Sequence, residues 1–506
     1  LPYVRTGSAF TRVLVAFAVY TLVMVALAAY RWHIWSFGAD TGTFTQVALN
    51  ALRGFQDTSE LGSHFHVHWA PLLVVLYPFA ATTHSGLSIQ IVQIVAVGLG
   101  VFPFFAIVRR YVDDGLAATL ATITLLYPPL LAVAFDEFHE IAFYPALVFA
   151  LVWAIDAERW GPAAVFAFLS LLVREEALLV LAVFGVVLAA AAWRSPRSGA
   201  RGLLFLEPRD RVTTIGFGIA LAIVGPLVFA FYFGVVAPAL GGWTASHYYV
   251  YSFARGPREM LVALFTRPLE VIRAIATPGR ATYLIEALAP LLFVGVRSPW
   301  MFVVVPGLAV VLLSSDPIAW RMGSHYSGLW APWLLIATAA AIAGIDRARA
   351  TRTFARRLSG WIVACCAIVL VAFDPLHPAH YLRAPYADRA DARLALASIP
   401  VLASVYTHDE WYAHVAGTRP AAEHIWNEPE YAILADDFPH ANTFQPFMRL
   451  EVSRGCYEVA RRYGAVVVYR RTERALVQPS CRIRRGDVRP AEYRLPASRA
   501  GTPLVE

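Results

Sequence analysis

Long apolar stretches separated by short polar ones fill most of the chain. Apolar stretches lie near residues 10–30, 86–108, 115–135, 141–155, 161–173, 177–193, 212–236, 283–296, 299–313, 329–345 and 359–373. A helix needs about 20 such residues to cross the ~30 Å hydrocarbon core of a bilayer, so the pattern predicts about eleven membrane-spanning helices. A shorter stretch, 69–81, is predicted to cross halfway or to lie at the interface. Ala26-Leu27-Ala28 resembles a signal-peptidase site, but the run is long and many others come after it, which predicts an uncleaved first helix.

After Asp374 the pattern changes. "ADARLALASI" reads as helix, "ASVYT", "AEHIW" and "YAILADD" as strand-rich segments, "RLEVSRGCYEVARRYG" as helix, and "AVVVYRR" as strand. Short β-rich runs separated by helical patterns predict a small α/β domain. The chain therefore divides into a polytopic α-helical membrane domain, 1–373, and an α/β domain, 374–506, whose Arg- and Pro-rich last residues are peripheral. No internal repeat or low-complexity tract is present.

Composition sharpens this reading. Of 506 residues, 58% are hydrophobic and 15% charged, against about 25% charged in an average soluble protein. Disordered chains, fibrous repeats and ordinary cytosolic enzymes are excluded. The net charge is +7, and all 42 basic residues are Arg. Most clustered Arg fall between apolar runs: Arg109 and Arg110, Arg159, Arg194 to Arg211, Arg297, and Arg347 to Arg357. Positive-inside bias accounts for them with the N-terminus inside, and an odd number of spans places 374–506 outside the cytoplasm of a cell-membrane protein. Topology explains this basic charge better than nucleic acid does. Cys365 and Cys366 lie in an apolar run, whereas Cys456 and Cys481 lie in the polar region and can pair if it is extracytoplasmic.

Five polar clusters fall on the predicted outer side. Asp40 opens an amphipathic segment whose Phe44, Val47 and Leu52 are predicted to meet the membrane surface, although a carboxylate there also suits a helix N-terminus. His64, His66 and His68 alternate, a spacing that shares a face only in a strand, so one His contributing to a polar site is favoured over a three-His metal site. Asp136, Glu137, His139 and Glu140 form a carboxylate–His group suited to a divalent cation. Arg174, Glu175 and Glu176 separate two short apolar runs, where up to about 8–10 kcal/mol of insertion cost forces them to an interface or a wet cavity. Arg321, His325 and Tyr326 mark the mouth of a late span and suit a phosphate or an interfacial belt. These groups are expected to line one cavity.

In these motifs the sequence resembles the multi-pass membrane family called domain of unknown function 2079, related to the GT-C fold of lipid-sugar-dependent glycosyltransferases. The family's D-x-G-x-F-x-Q segment matches Asp40 to Gln46, its H-x-x-P His68 to Pro71, and its D-x-F-H Asp136, Phe138 and His139. Its R-E-E matches Arg174 to Glu176 and its late H-Y matches His325 and Tyr326. The resemblance implies an enzyme that takes sugar from a polyprenyl-phosphate donor, with Asp40 as the base that deprotonates the acceptor. It further implies donor-phosphate contacts from Arg174, Arg321, His325 and Tyr326. Acceptor or metal support falls to His68, Asp136, Glu137, His139, Glu175 and Glu176, with a divalent cation as candidate cofactor. The first outer loop lacks the D-x-D or E-x-D pair usual in GT-C members.

The competing reading is a transporter, lipid-handling protein or inactive scaffold of the same fold. A transporter predicts repeated halves and polar residues on both sides. The repeats are absent, and the polar clusters fall on one side.

Overall fold

The structure is a computed structural model that describes residues 7–57, 62–242, 249–372, 376–386, 388–422, 425, 428–436 and 441–483. The Arg- and Pro-rich end, 484–506, lies outside the described residues. The chain forms two compact units, one of residues 1–26, 65–73 and 91–378, the other of 27–64, 74–90 and 379–506.

The first unit is helical. Among the described residues, five helices are long and apolar enough to cross a membrane: Ser8–Ile34, Gly86–Val108, Glu175–Arg194, Arg211–Ala239 and Arg352–Ala372. A sixth candidate is the pair Asp114–Leu126 and Pro128–Phe135, bent by 47°, where Pro128 and Pro129 cannot continue the hydrogen-bond ladder. The eleven apolar stretches are accordingly not eleven full-length helices. Tyr144–Asp156, Trp160–Leu171, Met301–Leu313 and Ala331–Arg347 have 13, 12, 13 and 17 residues. Stretch 283–296 is split where helix Pro278–Leu288 gives way to 3-10 turns around Leu292 and Phe293, both at positive φ. Stretch 69–81 is a short apolar element, Pro71–Thr83.

Helices Glu175–Arg194 and Arg211–Phe231 pack backbone to backbone. A Cβ on Gly185 would stand 2.5 Å from the Gly218 carbonyl oxygen, and one on Gly225 2.3 Å from that of Leu178. Small residues permit such close approach between membrane helices. Arg211–Phe231 continues through a π turn, Tyr232–Val236, whose Tyr232 ring packs 5.8 Å from Trp69.

Several predicted inner loops meet at one end of this unit. Buried Asp156 accepts from the Leu203 backbone N–H at 2.9 Å and pairs with Arg110 at 2.6 Å, while the Tyr111 hydroxyl also donates to it. Trp300 donates to the Leu204 carbonyl, Arg347 lies over Phe205, and Arg356 pairs with Asp113. Asp113 also caps helix Asp114–Leu126. Arg174 and Arg194 stand at opposite ends of one 20-residue helix, about 30 Å apart at 1.5 Å per residue. The R-E-E cluster and the Arg-rich loops therefore occupy opposite ends of the first unit.

The second unit contains a five-stranded sheet in the order Ala421–Ala422, Val405–Thr407, Tyr431–Ala435, Val466–Arg471, Tyr457–Tyr463. The first three strands are parallel and the rest antiparallel. Strand alternation splits the core: Ile433, Ala435, Val466 and Val468 join Trp411 and Tyr412, while Leu434, Val467 and Tyr469 face Met448. Cys456 and Cys481 are bonded on the latter side with Cα atoms 5.4 Å apart.

Segment 449–464 is not one helix. Helix Ala441–Ser453 stops before Gly455, at φ +71°, and Tyr457–Tyr463 is a strand. A left-handed residue ends a helix, and beyond Gly455 pairing with Val466–Arg471 overrides the helical pattern.

Candidate functional site: a buried carboxylate–histidine network

Four of the five polar clusters contribute to one contact network in the first unit. Arg174 has extended backbone at the N-cap of helix Glu175–Arg194, so Glu175 and Glu176 occupy its first turn. Carboxylates are favoured there by the helix dipole, which explains how two acids can open an otherwise apolar span. Arg174, Glu140, Glu175 and Glu176 are each at most 2% exposed. The Arg174 guanidinium donates to Glu140 and Glu176, both at 2.8 Å, with Glu175 4.0 Å away. The second oxygen of Glu175 accepts the Trp69 backbone N–H at 2.9 Å, and its first lies 2.8 Å from His68 Nδ1.

The Tyr326 ring links this group to the next, 5.3 Å from the Arg174 guanidinium and 4.3 Å from the His325 ring. Asp136 ends helix Pro128–Phe135, and His325 opens the 3-10 turn His325–Leu329. Asp136 Oδ2 accepts the His325 backbone N–H at 3.1 Å and faces His325 Nδ1 at 3.3 Å. The His139 ring stacks on that of His325, and ligand atoms of Asp136, His139 and His325 lie within 4.8 Å of one another. All three residues are buried.

The hydrogen bonds fix both imidazole tautomers. His139 Nδ1 lies 3.1 Å from the Glu137 carbonyl oxygen, which can only accept, so Nδ1 carries the proton. Asp136 makes the same demand of His325 Nδ1. In the neutral rings Nε2 is then the nitrogen that carries the lone pair. A histidine whose other nitrogen donates to a carbonyl or carboxylate is the usual form of a metal ligand, and two imidazoles with a carboxylate suit a first-row divalent cation. The residues present fit such an ion.

Gln93 supports this arrangement, although its position in the sequence points to no role. Fully buried, it donates to the Asp136 and Glu137 carbonyls at 3.3 and 3.1 Å and accepts the His139 N–H at 2.8 Å. The one signal it offers is a Gln inside an apolar run. Glu140, a member of the third cluster with no separate role expected, is the partner that holds Arg174. Arg321 is half-buried in the loop before His325.

Asp40 belongs to the second unit, in the first turn of helix Ala39–Leu49, and its side chain is exposed. Phe44 and Val47 are buried rather than on a membrane surface, because the helix is enclosed by protein; Leu52 is exposed. His64 is also buried in this unit, 3.8 Å from Asp57 and edge-on to Phe44.

The helical first unit and its buried ionisable network define a polytopic membrane protein. The chain belongs to the DUF2079 family, described as predicted membrane proteins, whose pattern matches residues 31–453. No curated protein sequence matches it. In structure it is similar to ArnT from Cupriavidus metallidurans bound to undecaprenyl phosphate, with 13% identity, 89% of this chain and 98% of that one covered, and a TM-score of 0.50. It is also similar to the archaeal oligosaccharyltransferase AglB from Archaeoglobus fulgidus in complex with an inhibitory peptide and a dolichol-phosphate. There the identity is 12%, the coverage 91% and 74%, and the TM-score 0.44. The likeness to ArnT is one of fold, the GT-C fold.

Proposed function

We propose that this protein is a membrane glycosyltransferase that moves a sugar from a polyprenyl-phosphate donor to an acceptor outside the cytoplasm. One observation carries the reading: four buried carboxylates, Asp136, Glu140, Glu175 and Glu176, belong to the same contact network as the Arg174 guanidinium. Burying that much like charge is costly without a counter-ion. A site of this composition suits a divalent cation and, beside it, a phosphate. ArnT, described as bound to undecaprenyl phosphate, supports a lipid phosphate as the ligand.

The residues divide by role. Asp136, His139 and His325 would hold the cation, which supplies positive charge opposite the leaving phosphate. Arg174 is already engaged by Glu140 and Glu176, so its main task is to hold those acids in place. Arg321 and Tyr326 then carry the direct contact with donor phosphate, and His68 holds Glu175 in orientation. Asp40, assigned by the family motif, is the base that takes the acceptor proton. The Arg-rich end of the first unit is read as cytoplasmic from the positive-inside bias, and residues 374–506 are read as extracytoplasmic, a reading that the Cys456–Cys481 bond supports.

The test is sugar transfer from radiolabelled polyprenyl-phosphate sugars in proteoliposomes. Asp40→Asn is expected to lower transfer about 10²–10⁴-fold, the usual contribution of a general base, with insertion unchanged. Full turnover in Asp40→Asn would remove Asp40 from the chemistry. A wild type that consumes no such donor would leave a transporter or scaffold.

A further inference from the structure

The helix that bears Asp40 is unusual for its composition. Ala39–Leu49 reads "ADTGTFTQVAL", with three Thr, a Gly and a Gln, yet every residue from Thr41 to Ala48 is buried. A helix this polar cannot be held by an apolar stripe, so its surroundings must supply specific contacts on several sides.

Those contacts come from within the second unit. The Tyr412 ring, on helix Asp409–Val415, lies directly over Gly42: a Cβ there would stand 2.2 Å from its Cδ1 and 2.5 Å from its Cε1. Gln46 Nε2 donates to the Ala421 carbonyl, on the first strand of the sheet, at 2.9 Å. On another side Thr41 and Thr45 close on Gly86, where a Cβ would stand 2.8 Å from Thr41 Cγ2. The turn before Gly86 is itself tied to the same domain, for His84 Nδ1 lies 3.1 Å from the Gly417 carbonyl oxygen. The Gly and Gln of the D-x-G-x-F-x-Q motif are thereby explained without chemistry of their own. Gly42 makes room for an aromatic ring, and Gln46 bonds a sheet edge.

We propose that the C-terminal α/β domain positions Asp40, with Gly42, Gln46 and Tyr412 as positioning residues that fix the azimuth and depth of the acidic helix. This rests on the reading of Asp40 as the base, and it adds that the domain acts through that helix rather than by binding substrate itself. Displacing a reacting group by about 1 Å can cost about 10²-fold in rate, so small changes at the Gly42–Tyr412 contact matter more to turnover than to folding.

A bump-and-hole experiment on the full chain tests this. Gly42→Ala forces a methyl into the Tyr412 ring, and the double variant Gly42→Ala/Tyr412→Leu restores room for it. Two readouts are taken below the unfolding temperature: transfer from the polyprenyl-phosphate donor, and the spectrum of a spin label attached through Asp40→Cys in each background. Gly42→Ala is expected to lower transfer about tenfold or more and to change the label's mobility, and the double variant to recover both to within about threefold. If Gly42→Ala lowers only the melting temperature, with transfer and label spectrum as in the wild type, the contact is structural and the proposal is overturned. The label decides positioning even if no donor is consumed, so failure of the transferase reading is distinguished from failure of this one.

Discussion

The imidazole rings of His139 and His325 lie face to face, with centroids 3.3 Å apart and planes 16° from parallel. Their Nδ1 atoms face the Glu137 carbonyl and Asp136, respectively. Wild type incubated with zinc and then dialysed should retain it stoichiometrically by elemental analysis, and His139→Ala and His325→Ala should each abolish that retention; a wild type that retains none would exclude the centre. Gln93→Leu, which touches none of the ligand atoms but loosens His139 and the Glu137 carbonyl, should weaken zinc about 10–100-fold. Undiminished zinc in all three variants would exclude this centre.

Arg174 serves carboxylates that have little access to water. Arg174→Ala should destabilise the protein by about 3–5 kcal/mol, because it strands buried charge. Adding Glu140→Gln and Glu176→Gln should recover much of that loss. Thermal unfolding in detergent checks both, and a triple variant no more stable than Arg174→Ala would contradict the ion-pair explanation.

His414 sits between two indoles in the second unit, 3.9 Å from Trp32 and 4.5 Å from Trp35 by ring centroids. Burial, with the nearby Arg393 charge, pushes its pKa down from 6.5 to about 3. The folded state therefore keeps the ring neutral where the unfolded chain protonates it. This contribution to stability is complete above about pH 6.5 and is lost progressively as pH falls toward 3, by at most about 1.4 kcal/mol per pH unit. His414→Phe should flatten that part of the pH–stability curve. An unchanged slope would show that the ring is not the titrating group.

The bond between Cys456 and Cys481 closes a loop with a sequence separation of 25. Replacing both with Ser should cost about 3 kcal/mol, chiefly by freeing the unfolded chain. The loss should appear as a lower unfolding temperature under oxidising conditions and vanish when wild type is compared in reductant.

The sequence makes some of this legible and hides the rest for identifiable reasons. Ionisable residues inside apolar runs are costly enough to announce themselves, so His68, Asp136, His139, Arg174 and His325 can be named from it. Val405–Thr407, Tyr431–Ala435 and Val466–Arg471 are readable because their β-rich runs are set off by turns. The surroundings of Asp40 are not readable. A Thr- and Gly-rich helix looks like a surface element, and the carbonyl that fixes Gln46 lies 375 residues away along the chain. Apolar runs likewise do not reveal where Pro128 bends a helix or where Leu292 and Phe293 break one. Tyr457–Tyr463 reads as helix because a strand's partner, unlike a helix's, is not in its own segment.

The π turn at Tyr232–Val236 bears on how this span tolerates change. A π turn accommodates one residue more than the α-helix around it, and one residue corresponds to about 100° of rotation at 3.6 residues per turn. Everything beyond it, including buried Ala237, is out of phase with the helix that begins at Arg211. Deleting Gly234 would let the ladder close without interruption and leave the side chains beyond it facing as they do now, because the turn already absorbs the extra residue. A homologue one residue shorter here would thus present the same stripe to its neighbours, whereas one shortened in the regular helix on either side would turn that stripe by about 100°.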